Sequence, residues 1–261
     1  MEKIFNLGIP HISKQIFASI DNPGLVQCAL VSKTWRELAQ NVLKKRWKSK
    51  MFEACINGET NVVQQLLESP TSEEIGLNIK DHLGFTPLIW ACHNGYKDVV
   101  KLFLDHSENS FGERIELNAR NNAGETAFMN ACESGHKDVV KLLLQLSERI
   151  ELNARNNAEE TALMNACESG HKDVVKLLLD HSERIELNAS DNAGWTALMK
   201  ACYNGYKNVV KLLLDHSELL LDHSERIELN ARNNNGETAL MIAMQQRHRV
   251  IVHLIKRKLK S

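Results

Sequence analysis

Cysteine and histidine are the residue types in this chain whose spacing is compatible with metal chemistry. The 261 residues include six cysteines and eleven histidines. Two Cys-x-x-x-His pairs occur, and a thiolate with an imidazole is a donor set that zinc accepts. At two equivalent cysteines tyrosine replaces histidine, so no consistent ligand set forms and we expect no metal site. The pairs are Cys132 with His136 and Cys167 with His171, and the cysteines followed by tyrosine are Cys92 (Tyr96) and Cys202 (Tyr206).

Catalytic motifs are not indicated either. His106, His181, His216 and His223 recur in the same D-H-S context, which follows a repeat rather than a site. The sequence contains no G-x-S-x-G, phosphate-binding loop or H-E-x-x-H motif. We therefore expect a protein that is not an enzyme and needs no cofactor, in which the repeated cysteines are small buried packing residues.

Internal repeats are the elements that would position all of these residues. An L-N-A-like string begins five units, numbered 1 to 5, whose starts lie 40, 35, 35 and 42 residues apart. In each unit a polar turn precedes a threonine that can cap a first helix, and a K-D-V-V-K-L-L-L-like second helix follows. One unit cannot bury its apolar face alone, whereas a stack of units can. The starting leucines are Leu77, Leu117, Leu152, Leu187 and Leu229; the threonines are Thr86, Thr126, Thr161, Thr196 and Thr238; glycines that end the first helix are Gly95, Gly135, Gly170 and Gly205.

This pattern resembles the ankyrin repeat. Residues 84–104, GFTPLIWACHNGYKDVVKLFL, carry its T-P-L signature, and the later units read T-A-F or T-A-L. The resemblance implies an all-α solenoid of five units over 77–261, preceded over 48–76 by an abbreviated unit that lacks the hairpin. Glu159 stands where the other turns have glycine, and a positive φ there would cost about 1 kcal/mol.

The first 47 residues do not fit the repeat and resemble an F-box over 9–47. The spacing from Ile16 to Trp35 agrees with that family, as do the Ile-Pro and Ile-Phe pairs. The resemblance implies an F-box-like domain at 1–47 that docks a Skp-family linker. The alternative is a helical cap that only covers the apolar end of the array. The implied docking residues are Pro10, Ile16, Phe17, Leu25, Val31 and Trp35.

A partner surface follows from the ankyrin resemblance, because family members usually bind through the hairpin tips and the first helices. In units 2 and 3 those positions are polar, whereas units 1 and 4 carry large aromatic residues, and aromatic residues often dominate binding energy. The alternative is that Trp90 or Trp195 packs against a neighbouring repeat. The predicted target-binding residues are Phe85, Trp90, Trp195, Lys200 and Tyr203.

Residues 212–230 contain the seven-residue string LLLDHSE twice in succession. Seven residues nearly preserve helical phase, with a drift of about 20°. The sequence therefore predicts that the second helix of unit 4 continues beyond His216 into Leu219–Leu221, and that the duplication is tolerated without a function.

Together the patterns predict an all-α protein, an F-box followed by an ankyrin solenoid. The resemblance implies a substrate-recognition adaptor of an SCF-type cullin–RING ubiquitin ligase, which binds the Skp-family linker, the ligase core and an unknown target protein. The rival interpretation is a non-enzymatic ankyrin scaffold or inhibitor. A net charge of −1 does not favour nucleic acid or a membrane, and we expect a monomer in the cytoplasm or nucleus without a signal peptide. Basic clusters at 44–50 and 247–260 are interpreted as solvated faces, with nuclear import or an acidic partner as the alternatives.

Overall fold

The architecture is a stack of helix pairs. The computed structural model describes residues 20–24, 33–68, 77–109, 115–146, 148–219 and 227–260, and nothing below concerns the structure of other residues. Within these ranges the fold is all-α, as predicted, and its β structure is one isolated bridge between Ser190 and Thr196. The helices are α1 (Lys33–Asn57), α2 (Thr60–Leu67), α3 (Pro87–His93), α4 (Lys97–Asn109), α5 (Ala127–Glu133), α6 (Lys137–Leu144), α7 (Ala162–Ser169), α8 (Lys172–Leu179), α9 (Ala197–Tyr203), α10 (Lys207–Leu219), α11 (Ala239–Gln245) and α12 (Arg249–Lys258), with a 3-10 turn at Ser182–Arg184.

Each complete unit begins its first helix at the predicted threonine. The threonine Oγ1 accepts a hydrogen bond from the backbone N–H three residues later, for example from Met129 to Thr126 at 3.3 Å. The same bond occurs in all five complete units at 3.2–3.4 Å. Such a cap contributes about 1 kcal/mol per helix, so the repeated threonines explain where the first helices start.

Glu159 adopts the strained backbone that the sequence predicted. Its φ is 63°, in the left-handed region, whereas the equivalent Gly124 has φ 81° without a side-chain penalty. Arg247 is the second described non-glycine residue with positive φ, at 60°. It occupies the place in unit 5 where the earlier units end their first helix with glycine.

The core is a continuous apolar seam between first and second helices of successive units. α3, α5, α7, α9 and α11 pack on one another in chain order, and the second helices do the same behind them. The five described cysteines are free and buried in this seam, as predicted, and burial raises the pKa of their thiols. They are Cys55, Cys92, Cys132, Cys167 and Cys202.

α1 joins the N-terminal region to the array without a break. Its 25 residues pass through position 47, and its C-terminal part buries Met51, Ala54 and Cys55 in the core of the stack. Met51–Asn57 therefore serves as the first helix of the abbreviated unit, and α2 is its second helix. The helix continues where a complete unit would have its hairpin.

The duplicated LLLDHSE lengthens a second helix. α10 has 13 residues and ends at Leu219, against 8 residues for α6 and α8. This agrees with the predicted extension as far as Leu219; Leu220 and Leu221 lie outside the described residues. α4, in the other unit with a long interval, also has 13 residues. Within the described ranges, none of the helices combines the length and the apolar character that crossing a membrane requires.

Candidate protein-binding face

The first helices and the hairpins that precede them form one continuous surface, which we call the first-helix face. Each complete unit contributes the residue before the capping threonine, together with the residues four and seven positions after the threonine. For units 1 to 4 these are Phe85, Trp90 and His93; Glu125, Asn130 and Glu133; Glu160, Asn165 and Glu168; and Trp195, Lys200 and Tyr203. Aromatic groups at units 1 and 4 thus flank a polar middle.

Unit 1 presents three rings in mutual contact. Phe85 and Trp90 have ring centroids 4.7 Å apart, and His93 meets Trp90 edge-on at 5.8 Å. All three are half-buried. Trp90 Nε1 donates to Asp81 Oδ2 at 2.9 Å, so the polar edge of the indole is satisfied within the unit. The rings of Phe85 and Trp90 also pack on the core, so these two contribute to the stack and to the surface together.

Unit 4 presents a second aromatic pair. Trp195 and Tyr203 meet edge-on with centroids 5.4 Å apart. Tyr203 is 48% exposed, whereas Trp195 is half-buried and packs partly on the core. Tyr203 is therefore the more accessible member of the pair, and Trp195 supports it. The structure places Phe85 with Trp90 and Trp195 with Tyr203 as two separate groups.

Lys200 is held by carboxylates within the array. Its side chain is only 9% exposed, and its Nζ lies 2.7 Å from Glu160, 2.8 Å from Glu168 and 3.3 Å from Asp191. Burial alone would lower the pKa of Lys200, but hydrogen bonds to Glu160 and Glu168 outweigh it and raise that pKa. The ammonium thus joins units 3 and 4. Its role in target binding stays a prediction.

The middle of the first-helix face is acidic. Burial raises the pKa of Glu133, and the nearby charge of Glu125 adds to the increase. For Glu160, burial acts in the same direction, but hydrogen bonds from Lys200 and Asn156 outweigh it and lower the pKa. The charges of Glu125, Glu160 and Glu168 all raise the pKa of Glu133 while that of His93 opposes them, so these carboxylates repel one another.

The chain matches the family described as ankyrin repeats (3 copies) over residues 51–156 and 145–219, which together exceed half of its length. The chain belongs to the ankyrin-repeat family. It also matches the F-box domain over residues 9–47, so an F-box precedes the repeats, as the sequence resemblance implied. An F-box followed by ankyrin repeats is the composition of a protein-interaction adaptor.

Solved ankyrin-repeat structures share the fold. The ankyrin repeat protein EF0377 superposes with a TM-score of 0.66 at 25% identity, covering 80% of this chain and 96% of that one. The ankyrin repeat domain of Bcl-3 gives a TM-score of 0.67 at 25% identity, with 80% and 85% covered. Osteoclast-stimulating factor 1 from Monopterus albus is 40% identical over 55 residues, and that from Danio rerio is 39% identical over 54. The chain spans about a quarter of each of these two relatives, 24% and 23%.

The implied linker-docking residues mostly fall outside the described ranges. Pro10, Ile16, Phe17, Leu25 and Val31 lie there, so their placement stays a prediction. Trp35 belongs to α1, but its side chain is not among those described.

Two aspartates on the first-helix face escaped the sequence analysis. Asp81 and Asp191 stand at the turn position that is asparagine in the other complete units, nine residues before Trp90 and Lys200 respectively. In units 2 and 3 asparagine occupies both positions of this pair. In units 1 and 4 the first position is aspartate and the second is a hydrogen-bond donor, tryptophan or lysine. This paired change is visible in the sequence, and it would have indicated that the two side chains are in contact. The asparagine pairs are Asn121 with Asn130 and Asn156 with Asn165.

Proposed function

We propose that this protein is a substrate-recognition adaptor of an SCF-type cullin–RING ubiquitin ligase. The F-box segment 9–47 would dock a Skp-family linker and through it the ligase core, and the ankyrin array would bind the target. The match of both families in this order supports the proposal. The adaptor itself would perform no bond chemistry and would act in the cytoplasm or nucleus.

One structural observation carries the proposal further. α1 begins inside the F-box match and ends inside the ankyrin array, and it is continuous from Lys33 to Asn57. At 1.5 Å per residue, a helix of this length spans about 37 Å. A rigid connection of this kind would hold a bound target at a fixed position relative to the linker. Catalysis by the ligase would then benefit from a high effective concentration of the target.

The target would bind on the first-helix face. The group of Phe85 and Trp90 and the group of Trp195 and Tyr203 are the proposed anchors, because half-buried aromatic side chains bury further apolar area on binding at little entropic cost. Glu133, between them, favours a cationic group on the target. This gives the adaptor a surface with two apolar contacts and an acidic centre.

Linker capture by the purified full-length chain tests the proposal. The variant Leu25→Ala with Trp35→Ala should lose retention of a Skp-family linker, because the resemblance assigns both side chains to the docking surface. A control with Glu37→Ala and Asn41→Ala changes two exposed residues of α1 and should retain the linker. Circular dichroism should show equal helicity for both variants.

A non-enzymatic scaffold whose N-terminal helices only cap the array is the second candidate. It is favoured by the burial of Met51, Ala54 and Cys55 of α1 in the core, which any capping helix would show. Linker capture separates the two candidates. Absence of capture by the wild type, or undiminished capture by the Leu25→Ala, Trp35→Ala variant, would reject the adaptor and leave the scaffold.

A further inference from the structure

The junction between α1 and the first hairpin contains an open groove. Its volume is about 850 Å³, and it lies beside Trp90 of the first-helix face. The lining residues fall into an apolar set, a cationic set and two carboxylates. They are Phe52, Ile56 and Trp90; Lys45, Lys48 and Lys80; and Glu53 and Asp81.

The groove exists because the abbreviated unit has no hairpin. Hairpins of neighbouring complete units are joined by backbone bonds, such as Asn122 N–H to the Leu83 carbonyl at 3.0 Å. On its other side the first hairpin faces α1, where Lys48 Nζ donates to the Lys80 carbonyl at 3.0 Å. A straight helix replaces the hairpin that would otherwise fill this space, which leaves the side chains of both walls accessible.

The floor of the groove is apolar. Ile56 is 40% exposed, Phe52 and Trp90 are half-buried, and Trp90 is held in place by its bond to Asp81. Lys48 Nζ lies 5.9 Å from the centre of the Phe52 ring, over its face. Accessible aromatic and aliphatic surface of this kind can bury an apolar side chain of a partner.

The charge at the rim is positive. Three lysines stand against two carboxylates, which gives the lining a net charge of +1. The carboxylate of Asp81 already accepts three hydrogen bonds at 2.9 Å, from the backbone N–H groups of Leu83 and Phe85 and from Trp90 Nε1. The oxygens of Asp81 are thus engaged within unit 1, and its negative charge still counts in the net of +1 at the rim.

We propose that this groove binds an acidic peptide segment of a partner protein, with an apolar side chain on Phe52 and Ile56 and carboxylates at Lys45 and Lys48. This proposal rests on the proposed function in one respect, namely that the array binds a target protein. It specifies the chemistry of one segment of that target. A nucleic acid fits less well, because a continuous polyanion leaving the groove along the first-helix face would meet the carboxylates of Glu125 and Glu133. A peptide can change its charge within a few residues.

Fluorescence anisotropy with the full-length chain tests the proposal. The probe is a fluorescein-labelled peptide of glutamates with one phenylalanine and one leucine, and the control probe carries lysine in place of each glutamate. We expect saturable binding of the acidic probe, weakened by added NaCl because exposed charges are screened. Lys45→Glu with Lys48→Glu should weaken binding by about tenfold or more through like-charge repulsion.

Matched variants separate the groove from general electrostatics. Lys101→Glu with Lys141→Glu makes the same change in net charge on exposed parts of α4 and α6, and it should leave binding unchanged. Phe52→Ala should weaken binding severalfold while circular dichroism shows retained helicity. Linker capture should be normal in Phe52→Ala and in the Lys101→Glu, Lys141→Glu control, which lie outside the F-box match, so failure here and failure of the adaptor role are distinguishable.

Four results would overturn the proposal. The first is equal affinity of the acidic and lysine probes, and the second is unchanged affinity of the Lys45→Glu, Lys48→Glu variant. The third is tighter binding of a single-stranded oligothymidine, which would identify a nucleic acid as the occupant. The fourth is a dimer in light scattering that dissociates in the Lys45→Glu, Lys48→Glu variant, which would identify a second copy of the chain.

Discussion

Asp81 and Trp90 are joined by a hydrogen bond of 2.9 Å between the carboxylate and the indole N–H. Nine residues separate them, and the same separation relates Asp191 to Lys200, whose Oδ2 and Nζ lie 3.3 Å apart. Units 1 and 4 therefore differ from units 2 and 3 by the same pair of substitutions. A turn aspartate replaces asparagine and fixes a donor on the first-helix face. In unit 1 it orients an aromatic ring, and in unit 4 it helps to bury a cation.

Replacing Lys200 with asparagine, the residue of units 2 and 3, should destabilise the array. Glu160, Glu168 and Asp191 would lose their shared cation. We expect a loss of about 2 kcal/mol in the free energy of unfolding, less than the usual cost of breaking a fully buried pair because Glu168 is half exposed. Urea denaturation followed by circular dichroism measures it, and Lys141→Asn on an exposed face is the control with an expected change near zero.

The loss should depend on pH in a direction set by Glu160. Its pKa is lowered in the folded state, so its contribution to stability is present above its unfolded pKa and is lost as pH falls through the folded value. The difference between wild type and Lys200→Asn should therefore be largest near neutral pH and shrink in acid. The raised pKa of Lys200 means that its own contribution disappears only in strong alkali. A difference that grows on acidification would contradict this account of the cluster.

Glu159→Gly should stabilise the array by up to about 1 kcal/mol, because a left-handed conformation costs a side-chain-bearing residue roughly that much. The substitution also removes the ion pair of Glu159 with Arg155 at 3.5 Å, but exposed pairs of this type contribute little. The reciprocal change Gly124→Glu in unit 2 should be destabilising. There the added Cβ would lie 2.5 Å from Asn157 Oδ1. The melting temperatures of both variants test these two expectations. A Glu159→Gly variant that melts below the wild type would show that the Glu159 side chain has a role beyond the turn.

Local features of the fold were predictable from the sequence because they depend on residues close in the chain. The cap at Thr126 and the positive φ of Glu159 each follow from a few neighbouring residue types. The Lys200 cluster was not predicted, since Glu160 is 40 positions away and the contact depends on how adjacent units are stacked. For the same reason the groove beside Phe52 became visible only when α1 was seen to continue where a hairpin would stand.

The aromatic anchors should dominate affinity once a target has been identified. Trp195→Ala should weaken target binding by about 2 kcal/mol or more, because truncating an aromatic anchor removes apolar contact and also frees Tyr203. Glu125→Ala should cost much less, since Glu125 is half-buried with its carboxylate already accepting a hydrogen bond from Asn121, and ion pairs that are not fully desolvated contribute little. Glu160 is unsuitable as the control because its loss would disturb Lys200. Isothermal titration calorimetry measures the target affinity of each variant. A large loss of affinity in Glu125→Ala with no loss in Trp195→Ala would show that the aromatic residues are not the anchors.

Deleting residues 212–218 should leave the melting temperature equal or higher. The shortened chain would read KNVVKLLLDHSERIELNA after residue 206, which differs from residues 172–189 of unit 3 only by asparagine in place of Asp173. In unit 3 this sequence forms the 8-residue α8, followed by the 3-10 turn at Ser182–Arg184. We therefore expect a second helix shortened from 13 residues to the length of α8. The core should lose little, because the shortened helix still reads V-V-K-L-L-L over the positions of Val209, Val210, Leu213 and Leu214, which are buried in α10. Differential scanning fluorimetry tests the expected melting temperature. Circular dichroism tests the shortening of the helix, which should lower the mean helicity. A clear fall in the melting temperature, or a loss of target binding, would show that the second LLLDHSE copy has a purpose in the stack.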